Sequence, residues 1–264
     1  MGRESASIPP TQSASGELPT AQATGSGALP STEAVPSDPI PTEAVPVTPD
    51  PTEAVPSRYL PGSDSTVNLI YQDPELPNGC EITSLAILLD WAGYPIDKVE
   101  LSDYWLPKQG FYRSDGVLHG ADPNEAYAGD PASASSGWYC FEGPILAAGN
   151  AYLSDQDSYL YAASLSGLTQ EELEFWMDAG VPLAVWVTLD YSAPRTRESA
   201  SWILPDGAEY VPYRNLHCVV LAGWDGDDYR IANPIKGWQT ISPDAFWSCF
   251  DAMGRRAVAV LPAY

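Results

Sequence analysis

Gln72, Cys80, His217 and Asn233 have the side-chain types needed for acyl chemistry at a thiol: a nucleophile, a base, a group that orients the base, and a neutral donor for a developing oxyanion. Cys80 lies in Asn78-Gly79-Cys80-Glu81, immediately before the apolar run Ile82–Leu89. Asn78 followed three residues later by Glu81 fits a capping box, which predicts a helix starting here with Cys80 in its first turn. Unpaired N–H groups and the helix dipole at that end favour an anion, so the expectation is a thiol that ionises more easily than a free one. The backbone N–H of Cys80 and the side-chain amide of Gln72, in the loop Tyr71–Pro77, are the expected oxyanion donors.

These groups need a scaffold. The nucleophile helix is predicted over 79–92 with Gly93 as the C′ residue, apolar on nearly every face and therefore central. Residues 102–160 have weak periodicity and read as loops, with a lid and one helix near Pro144–Leu153. A second capping box, Thr169 with Glu172, opens a helix ending near Gly180. Val181–Leu189 reads as a buried strand, and Asp206-Gly207 as a hairpin turn. His217–Ala222 and Asp228–Asn233 read as an antiparallel pair. With Gly223–Asp227 as a five-residue loop, Ala222 pairs with Asp228 and His217 lies directly opposite Asn233 on one face. Asn233 then fixes the imidazole tautomer. Ser242-Pro243 starts a further helix, and Arg256–Leu261 closes as a strand. A helix followed mostly by strands predicts an α+β fold.

Composition divides the chain into a disordered Pro/Thr/Ser-rich spacer over 1–64 and a folded domain over 65–264. The pentad Thr32–Pro36 recurs at Thr42–Pro46 and Thr52–Pro56, a pattern of extended spacers. Such a spacer suggests tethering to a cell envelope, with a signal or anchor trimmed upstream, and hence a secreted or surface location. No apolar run reaches the length of a membrane span. The net charge is −23; residues 1–62 hold seven acids and two bases, leaving −18 on the rest. That balance argues against nucleic-acid binding and hints at basic peptides as substrates.

Cys80, Cys140, Cys218 and Cys249 include no C-x-x-C pair, so neither a structural zinc site nor any other metal or cofactor is expected. One disulfide is possible. Cys140 and Cys249 read as structural, Cys218 as pointing into packing, and His119 as a surface residue. Asp225, Asp227 and Asp228 suit a turn better than calcium. Trp202 and Trp224 are candidate walls of a substrate groove, with core or rim packing as the plainer alternative.

The order Gln72, Cys80, His217, Asn233 resembles the papain-like cysteine peptidases. The segments Pro77–Leu85, Val185–Thr188 and His217–Asp225 are closer to the bacterial relatives of the double-glycine leader peptidases, the peptidase C-39-like family. The resemblance covers roughly residues 66–262. It implies a papain-like fold and peptide-bond hydrolysis, with Cys80 as nucleophile, His217 as base and Gln72 as oxyanion donor. One departure is Asn233, where relatives more often carry Asp; this bears on the pH optimum rather than on the mechanism. No transporter or ATPase region accompanies the domain, so leader processing coupled to export is not supported. An acyltransferase or amidase on the same dyad, and a catalytically silent binding module, are the alternatives.

Overall fold

The computed structural model describes residues 66–263; the expected spacer and its repeats lie outside them. The chain forms α1 (Cys80–Trp91), α2 (Lys98–Tyr104), and the short strands β1 (Lys108–Gln109), β2 (Tyr112–Ser114), β3 (Val117–His119) and β4 (Tyr127–Ala128). Then follow α3 (Glu142–Asp155), β5 (Leu160–Ser164), α4 (Gln170–Asp178), β6 (Leu183–Thr188), β7 (Trp202–Ile203) and β8 (Glu209–Tyr210). The last elements are β9 (Leu216–Asp225), β10 (Asp228–Asn233), β11 (Gly237–Ile241), α5 (Pro243–Ala252) and β12 (Ala257–Pro262).

Six strands form one antiparallel sheet in the order β11-β10-β9-β6-β12-β5. Every residue of β6 and β12 is buried, so helices cover both faces of the sheet centre. α1 packs on β9 and β6, with every residue buried except Asp90, as its all-round apolar sequence requires. The α+β expectation holds. The capping box at Thr169 and Glu172 forms as read, and Ser242 caps α5 with Pro243 in its first turn.

Residues 102–160 are more ordered than their composition suggests. They carry β1 to β4, α3 and the start of β5, and β2 and β3 join β7 and β8 in a second, four-stranded sheet. All four cysteines are free and buried, so no disulfide forms. Cys218 is fully buried, and Cys249 Sγ accepts the Thr188 N–H at 3.2 Å. His119 is half-buried and stacks on Tyr112.

The β9–β10 register differs from the expected one. The turn is tight: Asp225 pairs with Asp228, and Tyr229 with Trp224. Beyond it the ladder shifts, with Ile231 on Leu221 and Ala232 on Val220. Ala222 and Gly223 together therefore oppose the single residue Arg230, a β-bulge, and Gly223 sits at φ +118. Without the extra residue, the hairpin would set Asn233 against Val220, whose side chain lies on the opposite face from that of His217. The bulge restores the parity. Asn233 is set against Val219, two residues from His217 on the same face, and diagonal neighbours at that spacing touch when the side chains are long. A side chain at Gly223 meets no atom within 4 Å, so its cost is backbone strain alone. Gly223→Ala is expected to lose about 1–3 kcal/mol in a urea melt; unchanged stability would show that the bulge tolerates an L-residue.

Candidate active site

Cys80 opens α1, but its helix is not capped as predicted. Gly79 is the N-cap, and no side-chain cap bond forms. Asn78 instead donates through Nδ2 to the Ser133 carbonyl at 2.8 Å, while its own carbonyl accepts Tyr127 Oη–H at 2.6 Å. A Cβ on Gly79 would lie 2.6 Å from Leu76 Cβ, so only glycine fits this approach to the helix. Glu81 does not reach back to the cap. It is fully buried, and the Cys80 thiol donates to its Oε2 across 3.3 Å.

His217 follows the first residue of β9 and is 1% exposed. Its Nε2 lies 2.9 Å from Asn233 Oδ1. The same oxygen accepts the backbone N–H groups of Ile235 at 2.9 Å and Lys236 at 3.1 Å, and Asn233 Nδ2 donates to Gln239 Oε1 at 2.7 Å. Two backbone donors fix Oδ1 as the acceptor, so His217 Nε2 must carry the proton. Nδ1 is then the lone-pair nitrogen, and it is buried with no hydrogen-bond partner.

Gln72 is buried in the loop before α1. Its Nε2 donates to the Pro77 carbonyl at 2.8 Å, leaving the second N–H of the amide, while Oε1 has no partner. Lys98 holds this loop through the Tyr71 carbonyl and an ion pair with Glu75 of 2.9 Å. The Gln72 N–H donates to the Pro234 carbonyl at 3.0 Å, joining the loop to the turn that follows Asn233.

Gln72, Cys80, Glu81 and His217 line one cleft of about 340 Å³. Its other walls include Trp138, Tyr139, Tyr213, Arg197 and Arg214. The two tryptophans named from sequence lie elsewhere. Trp202 is 1% exposed, donates to the Ala121 carbonyl and packs among Phe111, Trp138 and Tyr210. Trp224 sits at the open end of β9, donating to Asp178 across 2.9 Å. Aromatic content alone could not separate a core tryptophan from a cleft one; the tryptophan that lines the cleft is Trp138, on a loop that has no periodic signature.

The electrostatics run against the expected easily ionised thiol. Burial first, then the neighbouring Glu81 carboxyl, pushes the Cys80 thiol well up from its ordinary value. Burial draws His217 down to about 4, against the raising effect of its bond to Asn233. Burial raises Glu81 to about 8. Full desolvation outweighs the helix N-terminus and favours the neutral thiol and the neutral imidazole.

Comparison with known proteins agrees with this architecture. Residues 65–258 match the Peptidase_C39 like family. The chain belongs to that family. It is 31% identical over 189 residues to the uncharacterized protein YvpB of Bacillus subtilis (strain 168), covering 71% of this chain and 70% of that one. A crystal structure from Bacillus anthracis, assigned to the C39-like peptidases, matches with 31% identity and a TM-score of 0.62 over 74% of this chain and 94% of its own. A double glycine motif protease from an AMS/PCAT transporter, solved with its leader peptide, aligns at 14% identity and a TM-score of 0.36, over 76% and 96% of the two chains. That last likeness is too low to bear on this chain. Among the described residues, no helix is long and apolar enough to cross a membrane, and no group of three or more His, Cys, Asp or Glu is placed to hold a metal ion.

Proposed function

We propose that this family member is a cysteine peptidase with Cys80 as nucleophile. The observation that carries the reading is the unpartnered Nδ1 of His217, a residue whose tautomer Asn233 fixes and which lines the same cleft as Cys80. His217 Nδ1 removes the thiol proton as Cys80 Sγ attacks a peptide carbonyl carbon. The negative charge that moves onto the carbonyl oxygen is met by the Cys80 N–H, first in its helix, and by the free N–H of Gln72. His217 returns the proton to the leaving nitrogen as the C–N bond breaks, leaving a thioester. Water, deprotonated by His217, then hydrolyses the thioester and restores the thiol. In the resting site the thiol is bonded to Glu81, so it must turn toward His217 when substrate enters; catalytic hydrogen bonds commonly form only in the complex.

The test is cleavage of a proteome-derived peptide pool, with new termini counted by mass spectrometry before and after treatment with iodoacetamide. Cys80 is 8% exposed in the cleft, whereas Cys140, Cys218 and Cys249 are at most 1% exposed, so prolonged alkylation, slow for a thiol whose ionisation burial disfavours, reaches Cys80 first. New termini that vanish on alkylation are the expected result. A pool left intact by the untreated protein, or cut equally after alkylation, would overturn the reading. Secretion and an envelope tether through residues 1–64 remain part of the proposal, supported by the repeat composition alone.

A further inference from the structure

The charge around the cleft is opposite to that of the chain. The sequence has 35 acids and 12 Lys and Arg residues. Yet two of the twelve, Arg197 and Arg214, line this one cleft, and its only acid is Glu81. Burial raises Glu81 to about 8, so its carboxyl is mostly protonated at neutral pH. The two arginines come from adjoining backbone segments: the Arg197 N–H bonds to the Pro212 carbonyl, and the Arg214 N–H to the Arg195 carbonyl. Other basic residues are occupied, Arg195 by Asp190, Arg255 by Asp251 and Arg256 by Glu142. Among the described residues, neither the Arg197 nor the Arg214 guanidinium has an ion pair or a hydrogen bond. Lys236, held on the Leu189 carbonyl at the same rim, adds a third positive charge.

We propose that the cleft selects peptides carrying a carboxylate beside the residue presented to Cys80, with Arg197 and Arg214 as its binding partners. The inference rests on the peptidase reading and names the substrate class of that site. Two guanidiniums free of internal partners can each present a planar pair of donors to a carboxylate. The strongly acidic remainder of the surface repels such a peptide from everywhere except the cleft, which concentrates it there. The overall charge pointed to basic peptides; the local charge points to acidic ones. The carboxylate belongs either to an Asp or Glu side chain or to the peptide's own C-terminus.

The experiment measures how well four probe peptides protect Cys80 from iodoacetamide, read by mass spectrometry on the full chain at low salt. The probes are acetyl-Ala-Glu-Ala-amide, acetyl-Ala-Ala-Ala with a free carboxyl terminus, acetyl-Ala-Gln-Ala-amide and acetyl-Ala-Lys-Ala-amide. One or both anionic probes are expected to protect at about tenfold lower concentration than the Gln probe, the size two exposed ion pairs supply. Which of the two does so identifies the source of the carboxylate. The advantage should vanish in the double variant Arg197→Gln, Arg214→Gln, and shrink with added salt. Equal protection by the Gln probe, best protection by the Lys probe, no protection by any probe, or an advantage that survives the double variant would each overturn the inference. Protection reports binding and not hydrolysis. A chain that binds the anionic probes but cleaves no peptide keeps this inference and loses the peptidase reading; one that cleaves peptides without regard to acidic residues does the reverse.

Discussion

Cys80→Ala and His217→Ala are each expected to lower peptide turnover by about 10⁴-fold, and the double variant to be no worse than either single one. Groups that act as a unit show this non-additivity, because once the nucleophile or its base is lost, only binding and oxyanion stabilisation remain. His217 keeps Nδ1 as its basic nitrogen because Asn233 Oδ1, anchored by two backbone N–H groups, holds the proton on Nε2. The proposed mechanism uses neutral imidazole, and His217 is drawn down to about 4. Turnover should therefore persist on the acid side until the pH falls towards 4, well below the point where an ordinary histidine protonates. Rates of Cys80→Ala, His217→Ala and the double variant, each with a thermal melt to confirm folding, check this. A double variant much slower than both singles would mean that the two residues act independently and that the dyad is not the catalytic unit. An acid limb near the ordinary histidine value would mean that the imidazole is hydrated in the working enzyme.

The sequence made this arrangement legible where the signal is local. Helix α1 was readable from its uninterrupted apolar run, α4 from Thr169 and Glu172, and α5 from Ser242-Pro243. The face shared by His217 and Asn233 was also readable, but by a register that does not occur. The five-residue loop and the bulge at Ala222–Gly223 both preserve strand parity, so a wrong pairing led to the right face. A bulge is fixed by how β9 twists against its neighbours, which one strand's alternation does not encode. The capping box at Asn78 and Glu81 failed for a different reason. Asn78 is claimed by Ser133 and Tyr127, far along the chain, and those contacts release Glu81 to turn inward under the thiol. Strand β11 has no sequence signature because its inward positions are Gly237, Gln239 and Ile241 and its exposed ones Trp238 and Thr240, so its in-and-out alternation is not an apolar–polar one. Net charge sums over a surface and is blind to one place on it, such as the cleft lined by Arg197 and Arg214.

Glu81→Gln is expected to stabilise the protein and to remove the alkaline limb of its activity. Glu81 is fully buried, its Oε1 lacks any partner, and its carboxyl is raised from an ordinary 4.5 to about 8 by desolvation. Between those two values the native state binds a proton that the unfolded chain has released, so the contribution to stability falls as pH rises. It is complete below pH 4.5 and lost by about pH 8, an effect on the order of 3–5 kcal/mol over that window. His217 acts with the opposite sign. Its folded value of about 4 lies below the ordinary 6.5, so its contribution is present above 6.5 and lost as pH falls towards 4. The two slopes offset each other from 4.5 to 6.5, leaving Glu81 dominant above. Glutamine has nearly the same shape and no charge, so the variant should melt higher than the parent by several degrees at pH 8 and by little at pH 4.5. A buried acid that costs this much folding energy at a position where Gln would fit is a candidate functional group. On the proposed mechanism, protonated Glu81 would donate a hydrogen bond to the thiolate as it forms, and ionised Glu81 would keep the thiol protonated by accepting its hydrogen. Turnover of the parent should fall as pH rises through about 8, and that alkaline limb should move or disappear in Glu81→Gln. A melting difference independent of pH would mean that Glu81 does not titrate in the folded protein. An alkaline limb unchanged in the variant would assign it to Cys80 itself and leave Glu81 as a packing residue beside the nucleophile.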